Sequence, residues 1–279
     1  MIDLHTHTTA SDGTYTPTEL IRYAVEKGLN AVAITDHDTV AGVEEAMAEA
    51  EKCGIKLIPG IELSSLYNSE HGSKEIHVLG YNIDIKNKEL VEAAEKFLNL
   101  RNERNQKMCG RLQQAGIDIS VERLCERYGE AVITRANIAR YLLEHGYVKT
   151  KDEAFDTYLS KNSPYYVKKE KINIEEAVRL INGAGGVAVI AHPVLYNMTE
   201  AELKELFTYA KEIGIKGVEA IYSNNASEDT ALYKKLAAET GLFITGGSDF
   251  HGANKRIDLG VGYDNLYVPD DLLKNIGEE

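Results

Sequence analysis

Apolar and polar residues alternate over Ile2-Asp3-Leu4-His5-Thr6, which is the period of a strand. Residues two apart in a strand face the same way, so His5 and His7 aim at one spot. There the strand gives way to the loop Thr8-Thr9-Ala10-Ser11-Asp12-Gly13. The pattern then turns helical. Thr16-Pro17 with Glu19 reads as an N-cap, a proline at the first helical position and a capping box. Leu20, Ile21, Ala24 and Val25 form one apolar face, and Gly28 ends it. Ala31 to Thr35 is a short apolar run of the kind buried on both faces of a sheet, and it ends in Asp36-His37-Asp38. A helix over 40–53, closed by Gly54, leads to a strand over 55–60 that runs on into Ile61-Glu62-Leu63. Ile76 to Tyr81, with His77 inside it, is a fourth strand.

Strands and helices alternating at this spacing predict a parallel α/β sheet or barrel. The rhythm breaks from about 85 to 165, where only helical patterns occur, the longest from Lys88 to about Gln114. It resumes with a helix over 173–182, a strand over 187–191 ending in His192-Pro193, and a helix over 199–213. A strand over 217–221, a helix over 227–240 and a strand over 242–245 follow, the last running into Gly247-Ser248-Asp249-Phe250-His251. The expected organisation is a barrel built from residues 1–84 and 166–279, with a helical insertion over 85–165 that caps it.

A chain of 279 residues suits one large α/β unit with such an insertion. No apolar run approaches the ~18 residues of a membrane helix, so no membrane partner is expected. The N-terminus shows no basic-then-apolar leader, so a cytoplasmic protein is expected. Cys53, Cys109 and Cys125 are odd in number and lack CxxC spacing, which fits reduced thiols rather than a disulfide framework. The net charge of −13 opposes a broad nucleic-acid-binding surface, because no basic face remains to track phosphates. It leaves room for a small phosphorylated ligand, since a pocket holding several metals can be positive inside a negative protein.

Six of the eight histidines stand at or beside strand ends: His5, His7, His37, His77, His192 and His251. Asp12, Glu62 and Asp249 share that address. In a (β/α) barrel the strand C-termini converge on one face, where active sites are built. This set of nitrogen and oxygen donors without cysteine exceeds one tetrahedral ion. It suits two or three divalent ions such as manganese, iron or zinc. The chemistry it supports is hydrolysis at phosphorus, where metals ~4 Å apart deprotonate a water, hold phosphoryl oxygens and stabilise the leaving oxygen. An amidohydrolase-type metal barrel also begins with HxH on its first strand and is the alternative. Glu219, inward-facing near a strand end, reads as structural.

His5-Thr-His7, Ser11-Asp12-Gly13, Thr35-Asp36-His37-Asp38, Pro59-Gly60-Ile61-Glu62, Ala191-His192-Pro193 and Gly247-Ser248-Asp249-Phe250-His251 occur in this order. Together they resemble the PHP (polymerase and histidinol phosphatase) metal-dependent phosphoesterases, from residue 2 to about 265. The resemblance implies a distorted, TIM-barrel-like (β/α)7 barrel with a trinuclear site. Carried over, His5, His7, Glu62 and Asp249 hold one metal. Glu62 bridges to a second, held also by His77 and His192. Asp12, His37 and His251 hold a third. A metal-bound hydroxide, not a protein side chain, is the implied nucleophile. Many relatives have histidine where this chain has Asp12, which makes that site harder and more tolerant of manganese.

The insertion adds to the resemblance. Thr134-Arg135-Ala136-Asn137 opens a helix, and Lys161-Asn-Ser-Pro-Tyr165-Tyr166 follows near its end. Both are similar to the bacterial branch that acts on nucleotides, including 5′-AMP and 3′,5′-bisphosphonucleotide phosphatases and 5′–3′ exonucleases on short RNA. Arg135 and Lys161 are then expected phosphate contacts. Tyr165 and Tyr166 are candidates to stack a base, with core packing the competing role. Asp36 is expected behind the ligands, orienting an imidazole. The Lys/Glu pattern from Lys88 to Arg111 reads as a solvated helix face, on which Arg101, Arg104, Lys107 and Arg111 lie at helical spacing, with attraction of an extended anionic ligand as their alternative role. Within the family, a histidinol-phosphate phosphatase is the alternative.

Overall fold

The computed structural model describes residues 1–128, 132–168 and 170–277. The chain opens with β1 (Ile2–Asp3), α1 (Pro17–Glu26), β2 (Ala31–Ile34), α2 (Val43–Cys53), β3 (Lys56–Ser69) and β4 (Gly72–Tyr81). Helices α3 (Lys88–Gln114), α4 (Val121–Tyr128), α5 (Arg135–Glu144) and α6 (Lys151–Ala154) follow, the last running on as a π turn through Leu159. Then come β5 (Ile172–Asn173), α7 (Ile174–Gly183), β6 (Val187–Ile190), α8 (Glu200–Glu212), β7 (Gly217–Tyr222), α9 (Ser227–Thr240) and β8 (Phe243–Gly247). The capping box at Thr16 and Glu19 forms as its sequence requires, and Gly54 closes α2 in the left-handed region.

The sheet runs β1-β2-β3-β4-β6-β7-β8, with β5 paired to the far part of β3. β8 comes back to β1: Leu4 N–H donates to Gly246 O at 3.2 Å and Asp249 N–H donates to His5 O at 2.8 Å. The result is a distorted barrel of seven strands, nearly closed. Ile2, Leu4, Ala33, Ile58, Leu79 and Val189 fill it, and Val268, Leu272 and Ile276 of the C-terminal segment pack beneath them. Outside, α1 and α2 cover Val32 and Ile34, while α7, α8 and α9 cover β4, β6 and β7. Each such Leu, Ile or Phe contributes roughly 1.5–3 kcal/mol by burial.

The fourth strand departs from the parallel expectation. β3 and β4 form a hairpin with antiparallel register from Gly60↔Tyr81 to Ser69↔Gly72, and β4 is antiparallel to β6 as well. No helix separates the two strands, so the chain has no crossover to bring it back parallel. Gly72, at φ +105°, makes the reversal. This places His77, opposite Ser64 in mid-strand, at the same end of the barrel as the termini of the parallel strands.

α3 serves two cores. Leu90 and Phe97 in its first half belong to the barrel's outer shell, whereas Met108 and Leu112 join Leu124, Ile133, Ile138, Leu142 and Leu159 in a separate cluster. That second cluster touches the barrel at the histidine end. Val132 N–H donates to Ala10 O at 3.2 Å, and buried Arg101 pairs with Asp38. Among the described residues, no helix is long and apolar enough to cross a membrane.

Candidate metal centre

His5 and His7 are both fully buried where β1 gives out. Gly247 allows β8 to lie against them, since a Cβ there would come within 2.4 Å of His5 Cβ. The loop that follows is wound tight: Ser11 N–H and Gly13 N–H both donate to Thr8 O, at 3.1 and 2.9 Å. A side chain at position 13 would collide with the carbonyl of His7, 2.3 Å away. Asp36 fixes this loop rather than an imidazole. Its Oδ1 accepts from Thr8 N–H (2.8 Å) and Ser11 Oγ (2.5 Å), and its Oδ2 accepts from Thr8 Oγ1 (2.6 Å). Leaving the end of β2, Asp36 faces the β1 loop, so it holds Asp12 in place from behind. His192 (φ +25°) and Asp249 (φ +59°) both occupy the left-handed region, an uncommon conformation for these residues and one found at functional sites.

All nine side chains converge. His5 Nε2 lies 3.1 Å from His7 Nε2, 3.5 Å from Glu62 Oε2 and 3.6 Å from Asp249 Oδ1. His7 Nε2 is 3.3 Å from that Glu62 oxygen and 3.2 Å from that Asp249 oxygen. Ligand atoms about 2.0–2.1 Å from one tetrahedral ion stand roughly 3.3 Å apart. These five spacings fit that figure. Glu62 is the hub: Oε1 is 2.9 Å from both His77 Nδ1 and His192 Nε2, and Oε2 is 2.7 Å from His37 Nδ1. On the loop side, Asp12 Oδ1 is 3.2 Å from His251 Nε2, and Asp12 Oδ2 is 3.9 Å from His37 Nε2. His7 joins this group too, its Nδ1 4.0 Å from Asp12 Oδ1.

The electrostatics fit cations. Burial alone would raise the carboxyl of Glu62, but His37, His77 and His5 outweigh it and hold it well below the usual range. Asp12, beside His251 and His37, and Asp249, beside Lys255 and His251, are likewise held low against burial. His7 is pushed well down by burial and by His251 and His37, so it is neutral, as a ligand must be. His7 Nδ1 and His192 Nδ1 are buried without hydrogen-bond partners. Such orphaned atoms call for an ion or water. Imidazole nitrogens and carboxylate oxygens without thiolate are the donor set of first-row divalent metals.

Comparison with known proteins agrees. The PHP domain model matches residues 3–213. The chain belongs to the PHP family. A 5′-3′ exoribonuclease of Haemophilus influenzae is 36% identical over 94% of this chain and 94% of its own length. A 3′,5′-nucleoside bisphosphate phosphatase of Chromobacterium violaceum is 35% identical over 90% of this chain and 87% of its own. A Bifidobacterium adolescentis crystal structure, assigned as a metal-dependent phosphoesterase, superposes with a TM-score of 0.86 at 31% identity. It covers 99% of this chain and 94% of that one.

Beside the PHP cluster lies a cavity of about 160 Å³. Asp12, His37 and His77 form one wall; Arg101, Arg104, Thr134 and Arg135 form the other. It adjoins a smaller space bounded by Tyr166 and Lys171. Arg104 is 5% exposed, its Nε has no partner, and its Nη1 reaches only Met108 Sδ, at 3.7 Å, among the described residues. Burial, with Arg101 and Arg135 nearby, pushes its pKa down to about 9. Arg135 opens α5 and lies over the Tyr166 ring at 5.7 Å. Lys171 pairs with Glu75, and burial pushes its pKa down to about 8.

The structure sorts the expected anion contacts. Arg101, Arg104 and Arg135 line the cavity, whereas Lys161 and Lys107 are exposed and outside its lining. Arg111 ties down the turn after Lys161, its Nη1 donating to Pro164 O and Tyr166 O at 3.2 and 2.5 Å. Tyr165 packs on Tyr158 in the insertion's apolar cluster, and Tyr166 borders the smaller space. Sequence reasoning missed Lys171, Glu75 and Lys255. Lys255 Nζ and Tyr222 Oη hold Asp249 Oδ2 at 2.6 and 2.9 Å, which leaves Oδ1 turned to the histidines.

Proposed function

We propose that this PHP protein is a metal-dependent phosphoesterase acting on nucleotide phosphates or short 5′-phosphorylated oligonucleotides. One observation carries the reading: a buried guanidinium, Arg104, stands without an acidic partner among the described residues, in a cavity also lined by Asp12, His37 and His77 of the cluster. A buried cation of this kind needs a counter-anion. A phosphate ester reaching from Arg104 and Arg135 to His37 and His77 supplies one.

In this reading His5, His7, Glu62 and Asp249 would hold one divalent ion, Glu62, His77 and His192 a second, and Asp12, His37 and His251 a third. When bound, divalent ions supply Lewis acidity at the phosphoryl oxygens and acidify the attacking water. The chain's own residues do the rest. Arg135 and Arg104 fix the phosphate, and the amide end of α5 adds to their field. Lys255 and Tyr222 keep the Asp249 carboxylate turned. Asp36 keeps the Asp12 loop closed. Tyr166, with the Arg135 guanidinium 5.7 Å over its ring, offers its other face to a base. The cavity is small and the protein acidic, which favours a nucleotide or a short chain end over a long duplex.

The test is phosphate release with manganese from 5′-AMP, 3′-AMP, 3′,5′-bisphosphoadenosine and histidinol phosphate. Mononucleotide release from a 5′-phosphorylated RNA trinucleotide completes the panel. Strong preference for a nucleotide or the trinucleotide, abolished by chelator, is expected. Turnover of histidinol phosphate alone would overturn the substrate, and inertness of the metal-loaded protein would overturn the chemistry. Arg104→Met should raise KM about 10–100-fold with kcat little changed, the worth of one charge-assisted contact. An unchanged KM would return Arg104 to a packing role.

Lys171 gives the expected pH dependence. Its ammonium loses its proton as pH rises through about 8 in the free protein. The Lys171 share of the phosphate attraction is therefore present below that pH and lost above it, and kcat/KM should fall on the alkaline side. Lys171→Gln should start lower at pH 7 and show a flatter alkaline limb. Identical alkaline limbs in the two proteins would assign the fall to another group.

A further inference from the structure

Glu219 lies in β7, fully buried in the barrel, and its carboxylate meets no lysine or arginine among the described residues. Burying a carboxylate costs several kcal/mol unless its oxygens are occupied. Both are. Oε1 is 2.9 Å from His5 Nδ1, and Oε2 accepts the backbone N–H of His192 at 2.7 Å. These partners follow β1 and β6, and both rings direct Nε2 at Glu62. The His5 and His192 rings lie nearly parallel, 5.6 Å apart.

We propose that Glu219 is the positioning residue of the metal centre, setting the tautomer of His5 and the backbone turn of His192 with one carboxylate. The inference rests on the reading that these two histidines hold metal. A carboxylate accepts hydrogen bonds and donates none, so His5 carries its hydrogen on Nδ1 and presents the Nε2 lone pair to His7, Glu62 and Asp249. At His192, φ is +25°, a conformation that histidine adopts only under constraint. The bond to Glu219 Oε2 satisfies the amide of that turn and aims the ring so that Nε2 reaches Glu62 Oε1 at 2.9 Å. Glu219 is not itself a ligand here, because Oε1 contacts His5 on the side away from Nε2 and Oε2 is taken by the His192 N–H.

Glu219→Gln tests this with little change of shape. A glutamine has one accepting oxygen where two bonds need acceptors. Either the His192 N–H faces an amide NH2, or His5 must accept at Nδ1 and lose its free Nε2. We expect a folded variant, with metal-free melting close to wild type. Its manganese affinity, read by competition with a chelating dye, should be 10–100-fold weaker. Activity should return when manganese is raised by the same factor. A folded variant with wild-type manganese affinity overturns the proposal. A second measurement does not depend on the variant: histidine ¹⁵N NMR of the zinc-loaded wild type should show His5 protonated at Nδ1 and metallated at Nε2. The opposite pattern overturns the proposal. Failure of the wild type to bind either metal would overturn the phosphoesterase reading and this inference together, whereas an active wild type with an unaffected variant overturns this inference alone.

Discussion

Glu62→Gln should lower kcat by at least about 10³-fold, some 4 kcal/mol of transition-state stabilisation, while the protein stays folded. No other side chain in the centre faces as many partners. His5, His7, His37, His77 and His192 all direct a ring nitrogen at one of its two oxygens, at 2.7–3.5 Å. Glutamine keeps the shape but replaces one oxygen by an NH2 group, which cannot accept from an imidazole and cannot bind a cation. The charge matters as much as the geometry, since the carboxylate is held well below its usual range by the histidines around it. Its loss should remove bound metal as well as turnover. Phosphate release and metal content by atomic emission check both, and a variant with wild-type metal content and kcat would remove Glu62 from the centre. The fold should survive because the neighbours of Glu62 along β3, Ile61 and Leu63, keep their apolar packing.

What the sequence discloses and what it hides follow from range. His5, His7, His37, His192 and Asp249 are legible because a short apolar run marks a strand and the polar residue just past it must sit at a strand end. The antiparallel course of β4 is hidden, because a buried strand reads the same in either direction. Its one local sign is the turn at Glu70-His71-Gly72 with no helix between strands. Arg101 and Arg104 look like members of a solvated helix face, because their neighbours are Lys, Glu and Asn. Only the crossing of α3 over the histidine end of the barrel buries them. Lys171 sits in a run of charged residues and gains its place when β5 pairs with β3 at Ser65↔Ile172. Asp36 was visible as chemistry but not as geometry, for its partners Thr8 and Ser11 are nearly thirty residues away.

Arg101→Met should be the most destabilising single change at the junction of the insertion with the barrel. The Arg101 side chain is 8% exposed and its partner Asp38 is 2% exposed. Asp38 is held in the left-handed region at φ +56°, and its Oδ1 also accepts Ser64 N–H at 2.9 Å. Removing the arginine breaks a buried ion pair by taking one partner away, which costs about 3–5 kcal/mol. For a chain of this size that corresponds to a fall in Tm of roughly 6–20 °C. The loss should reach the chemistry, because Asp38 follows His37 directly and α3 carries Arg104 three residues beyond Arg101. Removing both charges, in Arg101→Met with Asp38→Asn, takes away both halves of the pair together. The double variant should recover more than half of the lost Tm, with a coupling of about 1.5–3 kcal/mol in the double-mutant cycle. Strict additivity in thermal melts would show that the two residues do not act as a pair. Recovery of Tm without recovery of kcat/KM would show that the arginine's charge serves the cavity as well as the junction.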